Sequence, residues 1–122
     1  MPLYTAIGQE GFLSDKTKTK IAQEIMRIHC NIMKVPRQFV RVVFLSYPQG
    51  SGFTAGEEAP TTCLNCVFRS GHTAEEKAEL LEQLWSMFQD LTDVATDQLA
   101  LFLQEIPSQN AMELGQVMKP VS

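Results

Sequence analysis

The sequence predicts an α+β fold (α/β in its local order) of two tandem β-α-β units, forming a four-stranded sheet with two helices on one face. Three observations predict it. The chain matches itself at an offset of 59 residues, which carries Ser14 onto Thr73. Each copy holds an apolar stripe spaced by four, three and four residues, Ile21, Ile25, Ile28 and Ile32 in one and Leu80, Leu84, Met87 and Leu91 in the other. That spacing is one face of an α-helix. Each copy also ends in an apolar strand stopped by proline, Pro48 or Pro107.

Taken in order, residues 3–7 are an apolar run opened by Pro2 and read as the first strand. Ser14 is placed to cap a helix of about five turns, since its hydroxyl can accept from a free N–H of the first turn. Val42, Val43 and Phe44 form the next strand, matched by Leu101, Phe102 and Leu103 in the second unit. Residues 49–60 are rich in Gly and Ser. They include Gly50, Gly52 and Gly56 but no Gly-Lys-Ser, so they are not a phosphate loop. They read as a mobile connection that could cover a site. Residues 63–69 open the second unit, and Thr73 is placed to cap its helix. Ser108 is placed to cap a short helical turn ending near Gly115, before Pro120. The units span about residues 2–48 and 61–107 with a tail at 108–122, all within one domain.

A helical crossover makes the two strands of each unit parallel, with a right-handed connection. Two helices cannot cover Val40, Val42, Phe44, Leu101 and Leu103 together with the rest of the sheet. An oligomer closed by symmetry is therefore expected to bury the second face.

The chain has 122 residues, 44% of them hydrophobic, enough for a core of its own. No apolar run is long enough to span a membrane, and Lys16, Lys18 and Lys20 follow the first apolar stretch instead of preceding it, unlike a signal peptide. A soluble cytoplasmic protein is expected. The net charge of −4 gives no footprint for nucleic acid. Three cysteines make a poor disulfide framework. Cys63 and Cys66 lie three apart in a strand, hence on opposite faces, and read as structural thiols with no metal between them.

The chemistry begins at Pro2. Initiator methionine is generally removed before proline, and Pro2 would then carry a free secondary amine held by a strand. A free α-amine titrates near pH 8. Burial disfavours its charged form and lowers that value.

Pro2-Leu3-Tyr4, His29 ending the first helix, Arg69-Ser70-Gly71-His72-Thr73-Ala74, and residues 105–115 (EIPSQNAMELG) together resemble the tautomerase superfamily. Within it the chain resembles cis-3-chloroacrylic acid dehalogenase and its homologues, over nearly its whole length. Lys34 with Pro36, and the Gly-rich loop before Cys63, are also similar to macrophage migration inhibitory factor, which shares the fold. The resemblance implies a cofactor-independent homotrimer acting on a small-molecule carboxylate. It implies Pro2 as the catalytic amine, Arg69 as the carboxylate-binding cation, Glu113 as the residue that activates water in hydrating members, and His29 as a donor to a substrate oxygen. His72 stands where the dehalogenases have a second arginine, and Phe102 where they have a tyrosine. Both changes point away from efficient dehalogenation and toward keto–enol tautomerisation of a 2-oxo acid such as phenylpyruvate. Each residue also has an ordinary use: a boundary histidine, a surface ion pair, a solvated carboxylate.

The catalytic reading requires loss of Met1. Intact-mass measurement of the purified protein should give a chain beginning at Pro2. A retained methionine would turn the amine into an amide without basicity.

Overall fold

A computed structural model of the chain describes residues 2–119; Met1 and Pro120 lie outside them. The elements are β1 (Leu3–Gln9), α1 (Asp15–Met33), β2 (Arg41–Tyr47), β3 (Phe53–Thr54), β4 (Glu57–Glu58), β5 (Thr62–Arg69), α2 (Ala74–Thr92), β6 (Leu99–Ile106), β7 (Met112–Glu113) and β8 (Gln116–Val117). The main sheet has the order β2-β1-β5-β6. Its outer pairs are parallel, as a helical crossover requires, and the central β1–β5 pair is antiparallel.

Both helices start where the sequence places them. Ser14 accepts a hydrogen bond from the Thr17 N–H, and Thr73 from the Glu76 N–H. Glu76 returns a bond to the Thr73 N–H and completes a capping box. Both helices end in a left-handed residue, Lys34 or Asp93. Ile21, Ile25, Ile28 and Ile32 are buried, with Leu80, Leu84 and Met87, against Tyr4, Ala6, Leu64, Cys66 and Phe68 of the sheet. Leu91 is half-buried at the rim of this core.

The other sheet face is uncovered, as expected, but by different residues. Val40, Val42, Phe44, Leu101 and Leu103 pack against the core beneath the helices. Strand alternation turns their neighbours outward instead. Leu3, Val43, Leu45 and Phe102 are the large exposed apolar side chains there, the last two each 53% exposed.

Two further expectations need correction. Residues 49–60 contain the β3–β4 hairpin, held by Thr54 Oγ1 to Gln98 Oε1 at 2.9 Å. The hairpin follows Tyr47, which pairs with Gln9, so it leaves the sheet at the end opposite Pro2 and does not cover it. The tail forms a single 3₁₀ turn, Ser108–Asn110, followed by the β7–β8 hairpin, and not a helical turn reaching Gly115. Ser108 is buried within that turn and caps nothing. Leu114 and Gly115 both have positive φ, the signature of a tight two-residue hairpin turn that glycine enters without steric penalty.

The two hairpins belong to the repeat. Ala55 and Gly56 make the same positive-φ turn between β3 and β4. In the sheet, Leu3 pairs with Arg41 as Cys63 pairs with Ala100. Tyr4 is therefore equivalent to Leu64, and His29, at the helix offset, to Phe88.

Ile25 and Leu84 are fully enclosed. Ile25→Ala or Leu84→Ala should each lower unfolding free energy by about 2–5 kcal/mol. Thr73→Ala should lower it by about 1 kcal/mol. Urea titrations followed by circular dichroism measure all three.

Candidate functional site

One end of the sheet brings together several of the residues singled out in the sequence. Pro2 is buried, and its carbonyl accepts from the Arg41 N–H at 3.1 Å. Because Leu3 pairs antiparallel with Val67, the Pro2 end of β1 lies beside the Arg69 end of β5. Arg69 in turn pairs with Ile106, and the Ser70 N–H donates to the Ile106 carbonyl at 2.8 Å. The starts of β1 and β2 and the ends of β5 and β6 thus form one edge.

Arg69 donates through Nη1 to the Lys119 carbonyl at 3.0 Å. Its Nε is buried and has no hydrogen-bond partner among the described residues. A buried cationic donor without an acceptor is uncommon in folded proteins, because desolvation of the group goes uncompensated. An anionic ligand would supply the acceptor.

Arg41 also lies at this edge, and sequence reasoning missed it. Its Nη1 is 3.5 Å from Glu113 Oε2. The β7–β8 hairpin carries Glu113 there, and its side chain is only 13% exposed. The signal for Arg41 was present in the parallel topology: the residue that opens the second strand must lie beside the residue that opens the first.

His29 is buried, far from the boundary position its helix register suggested. Its Nδ1 is 2.7 Å from the Tyr4 hydroxyl. The Phe68 ring lies edge-on to His29 at 6.4 Å and tilted against His72 at 5.6 Å, so the two histidines flank one aromatic side chain. Burial pushes His29 down to about 4, and the positive amino terminus and His72 add to the effect. The imidazole is therefore neutral near pH 7. His72 Nδ1 lies 3.9 Å from Glu76.

Phe102 is not brought to Pro2 within the chain. It lies on the uncovered face, paired with Asn65 and four residues before Ile106, about 13 Å along the strand. Cys63 and Cys66 face opposite sides, and no cluster of three or more metal-ligating side chains occurs among the described residues.

A family described as "Putative oxalocrotonate tautomerase enzyme" matches residues 1–118. The chain belongs to that family. No curated protein sequence matches it. Among solved structures, this tautomerase-family chain is similar to N1, a member of the cis-3-chloroacrylic acid dehalogenase family. The identity is 29%, the TM-score 0.89, and the match covers 97% of this chain and 84% of the other. It is similar to native Ps01740 at 26% identity and a TM-score of 0.89, over 91% of this chain and 99% of that one. A fused 4-OT described as a symmetric trimer shares the fold at 20% identity and a TM-score of 0.85, over 95% and 94% of the two chains.

The neutral burial of His29 makes stability depend on pH. The native state binds fewer protons than the unfolded chain between about 4 and the ordinary value of 6.5. Stability from this group is complete above that window and is lost as pH falls through it. The loss should reach roughly 3 kcal/mol near pH 4. His29→Gln should flatten this limb in denaturant titrations run from pH 7 to pH 4.

Proposed function

We propose that the protein is a cofactor-free tautomerase of small 2-oxo acids such as phenylpyruvate, working through the amine of Pro2 after Met1 is removed. The observation that carries this reading is the buried Pro2 beside Arg69, whose Nε lacks a partner among the described residues. An enolisable carboxylic acid needs a base at its α-carbon and a cation on its carboxylate. Burial and the nearby guanidinium groups both disfavour the ammonium form of Pro2 and support a base role.

In the mechanism, Arg69 pairs with the substrate carboxylate. The Pro2 lone pair takes a proton from the carbon next to the carbonyl. The C–H electron pair becomes the carbon–carbon double bond, and the carbonyl oxygen gains the negative charge. His29 donates a hydrogen bond to that oxygen. Protonated Pro2 then delivers its proton to the enolate oxygen, which gives the neutral enol and restores the amine. In the reverse direction Pro2 takes the enol O–H proton and delivers it to carbon as the carbonyl re-forms. Arg41, on the other flank of Pro2, contributes positive charge and orients Glu113.

A homotrimer fits this reading. The uncovered face with Leu3, Val43, Leu45 and Phe102 needs a partner, and a structure of the same fold is described as a symmetric trimer. Phe102 would then line the site of a neighbouring protomer, and His72 would help enclose the carboxylate.

A second reading has Glu113 in its favour. A largely buried carboxylate at the Pro2 edge could activate water for addition to a three-carbon unsaturated acid, with protonated Pro2 supplying the proton to carbon. The two readings require opposite charge states of one amine. As a base, Pro2 should lose activity as pH falls through its pKa. As an acid, it should lose activity as pH rises through it.

Pro2→Ala should lower kcat for phenylpyruvate tautomerisation by roughly 100-fold or more. Arg69→Gln should raise KM by roughly 10- to 100-fold. Both are followed by enol absorbance. Normal turnover by Pro2→Ala overturns the mechanism. Brisk halide release from cis-3-haloacrylate, abolished by Glu113→Gln, would favour the hydratase reading instead.

A further inference from the structure

We propose that Tyr4 is a positioning residue which, through its hydrogen bond to His29, fixes the imidazole tautomer and presents Nε2–H as the donor to substrate. The proposal rests on the tautomerase reading for the role of that donor, but not for the tautomer itself.

The geometry is specific. The Tyr4 hydroxyl lies 2.7 Å from His29 Nδ1, and the rings meet edge to face at 5.5 Å and 87°. Both side chains are enclosed, Tyr4 at 0% and His29 at 1% exposure. In the proposal Tyr4 acts on the chemistry through His29, the residue its hydroxyl directly contacts. Burial raises the phenol, with Cys66 and Cys30 adding to the shift. The hydroxyl keeps its proton. Because a phenol is a better donor than acceptor while an imidazole nitrogen is a strong acceptor, this contact is assigned as Tyr4 donating to Nδ1. A neutral imidazole that accepts at Nδ1 carries its hydrogen on Nε2.

The other groups around His29 do not supply this control. Phe68 is apolar. His72 and the amino terminus disfavour an imidazolium at His29 without choosing a tautomer. The Cys66 thiol, pushed up to about 12, stays neutral beside Tyr4. The Glu76 carboxylate is engaged at His72. Among the described residues, Tyr4 is the hydrogen-bond partner of the His29 ring.

The repeat gives an independent argument. At the equivalent place in the second unit, Leu64 and Phe88 stand where Tyr4 and His29 stand in the first, and both are buried. Packing of this unit is satisfied by an apolar pair. The buried polar pair occurs in the unit that carries Pro2.

The consequence is a donor that does not titrate in the working range. Nε2–H can polarise a carbonyl oxygen while the ring stays neutral, and no imidazolium charge appears beside Pro2 as pH changes.

Nitrogen-15 NMR of histidine-labelled, Met-free protein between pH 5 and 8 tests this without substrate. His29 should show one neutral tautomer, protonated at Nε2. A proton on Nδ1, or an imidazolium at pH 6, overturns the proposal. Tyr4→Phe removes only the oxygen. It should mix the His29 tautomers and lower kcat roughly tenfold with little change in KM. An unchanged tautomer in Tyr4→Phe overturns the proposal even if that variant is less stable. If Tyr4→Phe does not fold, the wild-type spectrum still decides. Absence of enol turnover by the wild-type protein would remove the tautomerase reading and leave the tautomer result standing.

Discussion

The register of β1 against its two neighbours is the constraint from which the rest follows. Parallel pairing with β2 sets Arg41 beside the start of β1, and antiparallel pairing with β5 sets Arg69 there from the other side. Pro2 is thus enclosed between two strands that each bring a guanidinium group. A slip of one residue in either ladder would turn Tyr4, Ala6, Leu64 and Cys66 out of the core and carry Leu3 into it. The hydrophobic alternation that stabilises the sheet therefore also fixes the geometry of the edge that brings Pro2, Arg41 and Arg69 together.

Duplication of the β-α-β unit creates two equivalent sheet ends, yet a chain has only one amino terminus. The equivalent of Pro2 in the second unit is Thr62, whose nitrogen is an ordinary amide. The surrounding residues follow this asymmetry. Tyr4 and His29 are matched by Leu64 and Phe88, and Glu113 on its hairpin is matched by Thr54, which bonds to Gln98. At the Pro2 end the Arg41 guanidinium faces the Glu113 carboxylate, whereas Arg69 Nε lacks an acceptor among the described residues, and an anion would supply it.

Much of this was legible in the chain. Ser14, Thr73 and the four-three-four apolar stripes carry local information, because helix caps and amphipathic faces depend on residues a turn apart. Pro2, His29, Arg69 and Glu113 stood out through the resemblance of their segments to the tautomerase superfamily. Their assembly at one edge follows from strand order, which no local pattern contains. Arg41 escaped notice because an arginine opening a strand looks like any solvated residue until the neighbouring strand is known. The tail misled for a related reason. Leu114-Gly115 reads equally well as the end of a helical turn or as a two-residue hairpin, and pairing between Glu113 and Gln116 decides for the hairpin.

The sequence by itself determined the doubled unit, its helices and parallel strand pairs, the uncovered sheet face and the proline at position two, because each rests on periodicity or on the covalent order of residues. Tertiary structure decided which apolar residues face outward, that His29 is enclosed and bonded to Tyr4, that Arg41 reaches Glu113, and that Phe102 lies away from the Pro2 of its own chain. Those are properties of registers between distant segments, and burial, which sets charge and tautomer, exists only once the segments are packed.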